Sequence, residues 1–193
     1  MCDQLINHIR KFVQISDEEA KLISSGVTLL KLKKKAFVLT PGKQCKANYF
    51  VVRGLMRLYF ISKKDTEQIT QFALENWWIT DYDSIDSKHP SHFYIQAVED
   101  SEVIFLDQNI EDELTVQIPA FERYLRIMLQ KAFTAAQRRM EMLNNMTDEE
   151  RYRSFSTRFP EFNQRVPQYM VASYLGVTPQ FISRVRAKKS LIS

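Results

Sequence analysis

Cysteine and histidine are scarce in this sequence, and their scarcity narrows the metal and redox chemistry that it can support. The 193 residues contain two cysteines, Cys2 and Cys45, and three histidines, His8, His89 and His92. Two distant thiols cannot supply the ligands of a zinc knuckle or of a four-cysteine iron–sulfur cluster. A disulfide is not expected in a reducing compartment. We therefore predict no metal and no cofactor.

Long apolar runs are also missing. No stretch approaches the roughly 20 apolar residues that a helix needs to cross a bilayer. The first residues, MCDQLINHIRKF, lack the basic-then-apolar pattern of a signal peptide. We expect a cytoplasmic protein without a membrane partner.

Acidic residues are nearly absent from the last part of the chain. From residue 151 onward, eight lysines and arginines stand against one acid, Glu161, whereas the whole chain has a net charge of +4. The first 150 residues are therefore mildly acidic. A basic tail on such a body is typical of a module that binds a polyanion, attached to something else.

Short apolar runs with the period of strands fill residues 36–107. They lie at 36–39, 49–53, 55–61, 69–74, 93–98 and 102–107, with turn-like segments between them. Several short strands at this spacing predict an antiparallel β-barrel or jelly roll. With the helices expected on either side, the fold class is α+β.

A long helix is predicted from Pro119 to about Asn145, and two capping boxes predict the starts of other helices at Ser16 and Thr147. Within the long helix, apolar or small residues recur every three or four positions, close to a coiled-coil repeat. The predicted seam contains Phe121, Leu125, Met128, Ala132, Ala135 or Ala136, Arg139 and Leu143. This face either packs on the protein's own barrel or forms a parallel dimer contact. The spare surface of so long a helix favours the dimer.

Two short helices joined by a tight turn are predicted within residues 166–189. Gly176 suits the positive φ that ends the first helix, and Thr178 followed by Pro179 suits the start of the second. Phe181, Ile182 and Val185 form an apolar face of the second helix. Its other face carries Gln180, Ser183, Arg184, Ala187 and Lys188. Such a face can read bases in a DNA major groove, although an ordinary helical hairpin would also present a solvated polar face.

The order of strands, long helix and basic helix-turn-helix resembles the cyclic-AMP receptor protein/FNR (Crp/Fnr) superfamily of bacterial transcription regulators. The resemblance rests on YFVVRGLMRLYF at 49–60, QAVEDSEVIFLD at 96–107 and ASYLGVTPQFISRVRAK at 172–188. It implies a cyclic-nucleotide-binding-like jelly roll with flanking helices at 1–118, a dimerisation helix at 119–145, and a helix-turn-helix, winged-helix-like domain at 146–193.

The resemblance also implies the partners and the DNA contacts. They are a near-palindromic operator in double-stranded DNA and a second copy of the chain bound through 119–145, with RNA polymerase and a small-molecule effector as further candidates. Arg184 falls on the family's base-reading arginine, and Pro179 replaces a residue that usually contacts DNA. The predicted DNA-binding residues are Thr178, Gln180, Ser183, Arg184, Arg186 and Lys188.

The match breaks at the effector site, in WITDYDSIDSKHPSHFYIQA at 78–97. Nucleotide-binding members of the family place a Gly and a Glu, and later an Arg-Ser pair, around the cyclic phosphate. Here Thr80 and Asp81 replace the first pair, and Ser91 and His92 replace the second. A cyclic phosphate needs close backbone N–H groups and a fixed cation. We therefore expect an effector other than cyclic AMP, or none. The effector-pocket candidates are Trp78, Thr80, Asp81, Ser91 and His92.

Two rival interpretations stay open. A cupin-type metal enzyme shares jelly-roll strands, but it needs two or three histidines and a carboxylate converging from different strands. The sequence does not favour an enzyme, because its three histidines are scattered. A barrel that only pairs two copies of a DNA-binding tail, without a ligand, is compatible with the regulator.

Overall fold

The computed structural model of the chain describes residues 2–190, apart from the side chains at positions 163 and 188–190. Its helices are α1 Asp3–Arg10, α2 Asp17–Ser25, α3 Tyr82–Ser87, α4 Gln108–Gln117, α5 Pro119–Asn145, α6 Asp148–Arg158, α7 Phe162–Arg165, α8 Gln168–Leu175 and α9 Pro179–Ser190. Its strands are β1 Thr28–Leu32, β2 Phe37–Leu39, β3 Ala47–Arg53, β4 Met56–Ile61, β5 Glu67–Ala73, β6 Trp78–Ile79, β7 Tyr94–Ala97 and β8 Ser101–Asp107.

The strands form two four-stranded sheets, in the orders β1-β8-β3-β6 and β2-β7-β4-β5. Strand β3 pairs antiparallel with β8, with Phe50 opposite Ile104, and β4 pairs antiparallel with β7, with Leu58 opposite Ile95. Residues that alternate along these strands face inward, and Tyr49, Val51, Leu58, Ile95 and Val103 belong to one buried cluster. This is the predicted jelly roll, and the predicted α+β architecture is confirmed.

The chain divides into two compact units, Met1–Phe60 with Thr70–Lys131, and Ile61–Ile69 with Ala132–Ser193. The first unit holds the sheets, and the second holds the C-terminal helices with the tip of the β4–β5 hairpin. Outside this hairpin, the described residues of the second unit form helices and no strand. The division of the chain at 118/119 and 145/146 stays a prediction.

Local sequence signals placed most helix starts correctly. Ser16 with Glu19, and Thr147 with Glu150, form the two predicted capping boxes. The predicted helix over 119–145 is also confirmed. The sequence patterns missed β1, β6, α3 and α7. Strand β6 has only two residues, too few to show any periodicity.

The outer face of the β1-β8-β3-β6 sheet carries a second apolar cluster under α1, α4 and the start of α5. Phe50 on β3 packs there with Leu5, Ile9, Phe121 and Tyr124, all fully buried. Complete burial of a side chain of this size stabilises a fold by about 1.5–3 kcal/mol. The first two turns of α5 are therefore committed to the core of their own unit.

This packing corrects the seam predicted for α5. Phe121 is buried, and Leu125 and Met128 pack against the same cluster. The large side chains left exposed on α5 are Leu129, Phe133 and Met140, at 49%, 62% and 65% exposure. The exposed apolar stripe thus follows the phase of 129, 133, 136 and 140, because the large residues at the start of the other phase pack within the chain and its exposed positions 132 and 135 are alanines.

A buried hydrogen-bond chain crosses the outer-sheet cluster. The Trp78 Nε1–H group donates to the Tyr124 hydroxyl at 2.9 Å, and that hydroxyl lies 2.8 Å from His8 Nδ1. The Tyr124 hydroxyl accepts from the indole and shares a second hydrogen bond with the His8 ring, whose tautomer sets which of the two donates. Burial, aided by the charges of Lys11 and Lys131, lowers the pKa of His8 to about 4.

We expect the stability of the protein to fall as the pH drops from about 6.5 to about 4. In this window the unfolded chain protonates His8 and the folded chain does not, so unfolding takes up a proton. The full effect of such a shift is about 3 kcal/mol at low pH. A His8→Gln variant keeps a group that can hydrogen-bond Tyr124 as donor or acceptor, and it should show a flatter curve of unfolding free energy against pH. Removing the exposed His89 as His89→Gln should leave the slope unchanged, and equal slopes for wild type and His8→Gln would contradict the assignment.

In the described part of the chain, no helix combines the length and the hydropathy needed to cross a membrane.

Candidate functional site

The turn between α8 and α9 has the geometry that the sequence predicted. Gly176 ends α8 with φ +66°, and the Val177 N–H donates back to the Ala172 carbonyl at 3.0 Å. A side chain at this φ would be strained, which is why glycine fits this position. Thr178 then caps α9, since its Oγ1 accepts the Phe181 N–H at 3.2 Å.

Helix α9 is anchored by one face and exposed on the other. Ile182 is fully buried, whereas Gln180, Ser183 and Arg184 are exposed. Helix α8 supplies the apolar support with Met170, Val171, Ala172 and Leu175, all buried. The Ser183 hydroxyl donates to Gln168 Oε1 at 3.2 Å. The anchored face fixes the direction in which the amide of Gln180 and the guanidinium of Arg184 leave the helix.

The basic residues around α9 are not equivalent. Arg186 Nε donates to the Tyr152 hydroxyl at 2.8 Å, so this side chain is held against α6. Arg153 forms an ion pair with Glu149 at 2.6 Å. Arg151 donates to Asp148 and lies mostly buried. Arg184 is therefore the exposed arginine on the presented face, and the side chain of Lys188 lies outside the described residues, as does that of Lys189.

Arg139 does not belong to the apolar seam predicted for α5. Its Nη2 donates to the carbonyls of Tyr174 at 2.9 Å and of Ile69 at 3.1 Å, and its guanidinium lies over the Tyr174 ring at 4.6 Å. Burial lowers the pKa of Arg139. Ser173 supports the same place, accepting the Ile69 N–H at 3.0 Å and donating to the Glu67 carbonyl at 2.7 Å. Sequence patterns gave no signal for these contacts, since the partners lie 35 to 106 residues apart.

Of the five predicted effector residues, three are buried, one is exposed and one faces a different apolar cluster. Thr80, Asp81 and Ser91 are buried. The Ser91 hydroxyl donates to Asp81 Oδ2 at 2.6 Å, and the Thr80 hydroxyl donates to the Ala47 carbonyl at 2.8 Å. His92 is exposed and contacts Phe93, with ring centroids 4.1 Å apart. Trp78 faces the outer-sheet cluster instead, against Phe50.

The electrostatics of this cluster oppose a cyclic phosphate. The Asp81 carboxylate is itself the acceptor for the Ser91 hydroxyl and for the Ser84 N–H, which caps α3. A phosphate at this place would meet a buried carboxylate, and burial strengthens the repulsion between like charges. Lys88 is the one lysine or arginine of residues 78–97, and it is exposed.

The histidines do not gather into a metal site. His8 lies in α1 against Tyr124, and His89 and His92 are exposed at the α3–β7 connection. Across residues 2–190 as described, no group of three or more His, Cys, Asp or Glu side chains is placed to hold a metal ion. The cupin interpretation required such a group.

Comparisons with known proteins agree with this architecture. Residues 29–115 match the family model of the cyclic nucleotide-binding domain. The chain is 29% identical over 189 residues to the fumarate and nitrate reduction regulatory protein of Vibrio cholerae, covering 91% of this chain and 71% of that protein. It is 27% identical over 165 residues to the transcriptional activator protein Anr of Pseudomonas protegens, covering 80% and 67%. The chain spans only 60–63% of several similar anaerobic regulatory proteins.

Solved structures show the same fold. The structure of FixK2 from Bradyrhizobium japonicum aligns with a TM-score of 0.69 at 20% identity, covering 84% of this chain and 83% of that chain. At this identity the likeness concerns the fold alone.

Proposed function

Because this chain belongs to the Crp/Fnr superfamily of transcriptional regulators, we propose that it binds operator DNA in the cytoplasm as a homodimer and is not an enzyme. The observation that carries the proposal is the presentation of α9. Its buried Ile182 fixes the helix, while Gln180, Ser183 and Arg184 project from the opposite side. This is the arrangement with which a recognition helix enters a major groove.

Each exposed side chain of α9 has a role that its chemistry suits. Arg184 would bond the O6 and N7 atoms of a guanine, and Gln180 would bond the N6 and N7 atoms of an adenine. Thr178 and Ser183 lie at the edge of this face and are suited to phosphate or base contacts. Arg186 and Lys188 would serve phosphates, with Arg186 oriented by Tyr152.

The second copy of the chain would pair through α5. The exposed stripe of Leu129, Phe133, Ala136 and Met140 has the alternating spacing of four, three and four residues that a two-stranded coiled coil needs. A parallel pair of helices would present two recognition helices to half-sites about 34 Å apart. Contact with RNA polymerase stays a prediction.

The effector is proposed to differ from cyclic AMP. The support is the closed Asp81–Ser91 cluster, which offers a carboxylate where a cyclic phosphate needs a cation. Tight binding of cyclic AMP by the wild-type protein would contradict this part of the proposal. A roll that serves only as a dimerisation scaffold would bind no small molecule at all.

The test of the proposed function is selection of bound sequences from random duplex DNA by the full chain. We expect enrichment of a near-palindromic site whose half-sites are centred about 10 base pairs apart. Binding to that site should weaken steeply with salt, as it does when phosphates are neutralised. Failure to enrich any motif, with binding that ignores sequence, would overturn the proposal.

A further inference from the structure

A cavity of about 270 Å³ opens on the outer face of the β1-β8-β3-β6 sheet, against α4 and the first half of α5. Its polar lining includes Asn48, Glu111, Glu122 and Arg126, and its apolar wall includes Trp78 and Leu125. Thr80, Asp81 and Ser91 do not line it. Of the residues that the sequence singled out for an effector, only Trp78 lines this cavity, so it is a different place from the Asp81–Ser91 cluster.

Asn48 contributes to this cavity a buried polar atom that has no hydrogen-bond partner among the described residues. Its side chain is 3% exposed. The Nδ2 group donates to Glu111 Oε2 at 2.6 Å, which fixes the orientation of the amide. The Oδ1 atom is buried and finds no hydrogen-bond partner among the described residues. Buried polar atoms are almost always satisfied, and an orphaned acceptor calls for a donor from outside the chain.

The charges around Asn48 call for a cation as well. Glu111 and Glu122 line the cavity against one guanidinium, that of Arg126, which is hydrogen-bonded to Gln130 at 3.4 Å. Burial, with the neighbouring Asp112 carboxylate, raises the pKa of Glu111, while the Asn48 amide works in the opposite direction. The negative charge of Glu111 is therefore incompletely compensated within the chain.

The size and the apolar wall restrict what that cation is. An apolar wall suits an organic cation better than a metal ion, whose ligands are oxygen, nitrogen or sulfur atoms. The volume falls just below the about 300 Å³ at which pockets for drug-sized ligands begin. The indole of Trp78 offers a face for an apolar body or for a cation–π contact, and Leu125 and Met128 extend the apolar wall.

We propose that this cavity binds a small organic ammonium ion, whose N–H groups donate to Asn48 Oδ1 and to the Glu111 carboxylate while its apolar part lies against Trp78. Such a site lies beyond the proposed DNA binding and does not depend on it. Binding can be measured without DNA, so failure of either proposal leaves the other standing.

Fluorescence of Trp78 gives a direct readout. The sequence has two tryptophans, and Trp77 is half-exposed, so a Trp77→Phe background leaves Trp78 as the reporter. The probe is benzylammonium, with benzyl alcohol and benzoate as neutral and anionic molecules of the same size. We expect a saturable change with benzylammonium, at an affinity at least about tenfold above that of either analogue. Equal affinity for the three probes, or no saturable binding, overturns the proposal.

Two variants place the ligand at the proposed atoms. Glu111→Gln and Asn48→Leu should each weaken benzylammonium binding by about tenfold or more. Glu113→Gln changes an exposed carboxylate of the same helix and should leave the affinity unchanged. Asn48→Leu removes both the orphaned acceptor and the Nδ2 donor to Glu111, so its melting temperature without probe is measured to show that the variant is folded. If Asn48→Leu fails to fold, Glu111→Gln against Glu113→Gln still decides, and wild-type affinity in Glu111→Gln sinks the assignment.

Discussion

Replacing Arg184 by alanine is expected to lower the affinity for the selected operator by about 1–3 kcal/mol and to relax the preference at one base pair. The reason is the fixed orientation of α9. Ile182 holds the helix from its buried side, and Arg184 projects from the exposed side. Its planar guanidinium matches the two acceptors of guanine in the major groove.

Fluorescence anisotropy against the operator and its single-base variants measures both parts of this prediction. Arg153→Ala is the matched control, because Arg153 is also an exposed arginine of the second unit but is paired with Glu149 at 2.6 Å. Loss of this residue should weaken binding slightly and equally for all sequences. Unchanged base discrimination in Arg184→Ala would remove Arg184 from the base-reading role.

The parts of the fold that were predictable are those that local chemistry specifies. Thr147 with Glu150 and Thr178 with Pro179 mark helix starts, and Gly176 marks a helix end, because caps and turns satisfy backbone groups within a few residues. The strand runs were readable because alternation shows which residues face a core. These signals placed the candidate DNA-binding face within a single stretch of sequence.

The features that escaped prediction depend on partners far away in the chain. Arg139 looked like one more position of the α5 repeat, but its guanidinium reaches the carbonyls of Ile69 and Tyr174. Asn48 meets Glu111 across 63 residues. The closure of Asp81 on Ser91 was hidden for a related reason. The sequence shows that the usual phosphate ligands are missing, but not that their replacements bond to each other.

The seam predicted for α5 was displaced for the same reason, because spacing does not show which residues pack against distant parts of the chain. The stripe that stays exposed gives the second prediction with a large expected effect. Spacing alone allows two neighbouring phases on α5, and only the packing of Phe121, Leu125 and Met128 within their own unit shows which phase is occupied. The phase that remains carries Leu129, Phe133 and Met140. Each side chain buried in a two-fold contact contributes twice, at about 1.5–3 kcal/mol for complete burial of one copy.

We therefore expect Phe133→Glu to be monomeric at micromolar concentration and to lose about 10³-fold or more in operator affinity, which leaves non-specific binding. A carboxylate at this position would place two like charges at the centre of the parallel contact, and a single recognition helix cannot use both half-sites. Sedimentation velocity measures the oligomeric state, and anisotropy measures the affinity.

Ala135→Glu is the control that separates a seam effect from a general effect of charge on α5. Ala135 is exposed and lies about 160° around the helix from Phe133, at about 100° per residue. It adds the same charge to the same helix, and it was one of the two alternatives for the seam predicted from sequence. A dimeric Ala135→Glu beside a monomeric Phe133→Glu assigns the contact to the stripe left free by the core. The reverse result would mean that the copies meet through the other face, and a dimeric Phe133→Glu that still binds the operator would mean that α5 does not hold them together.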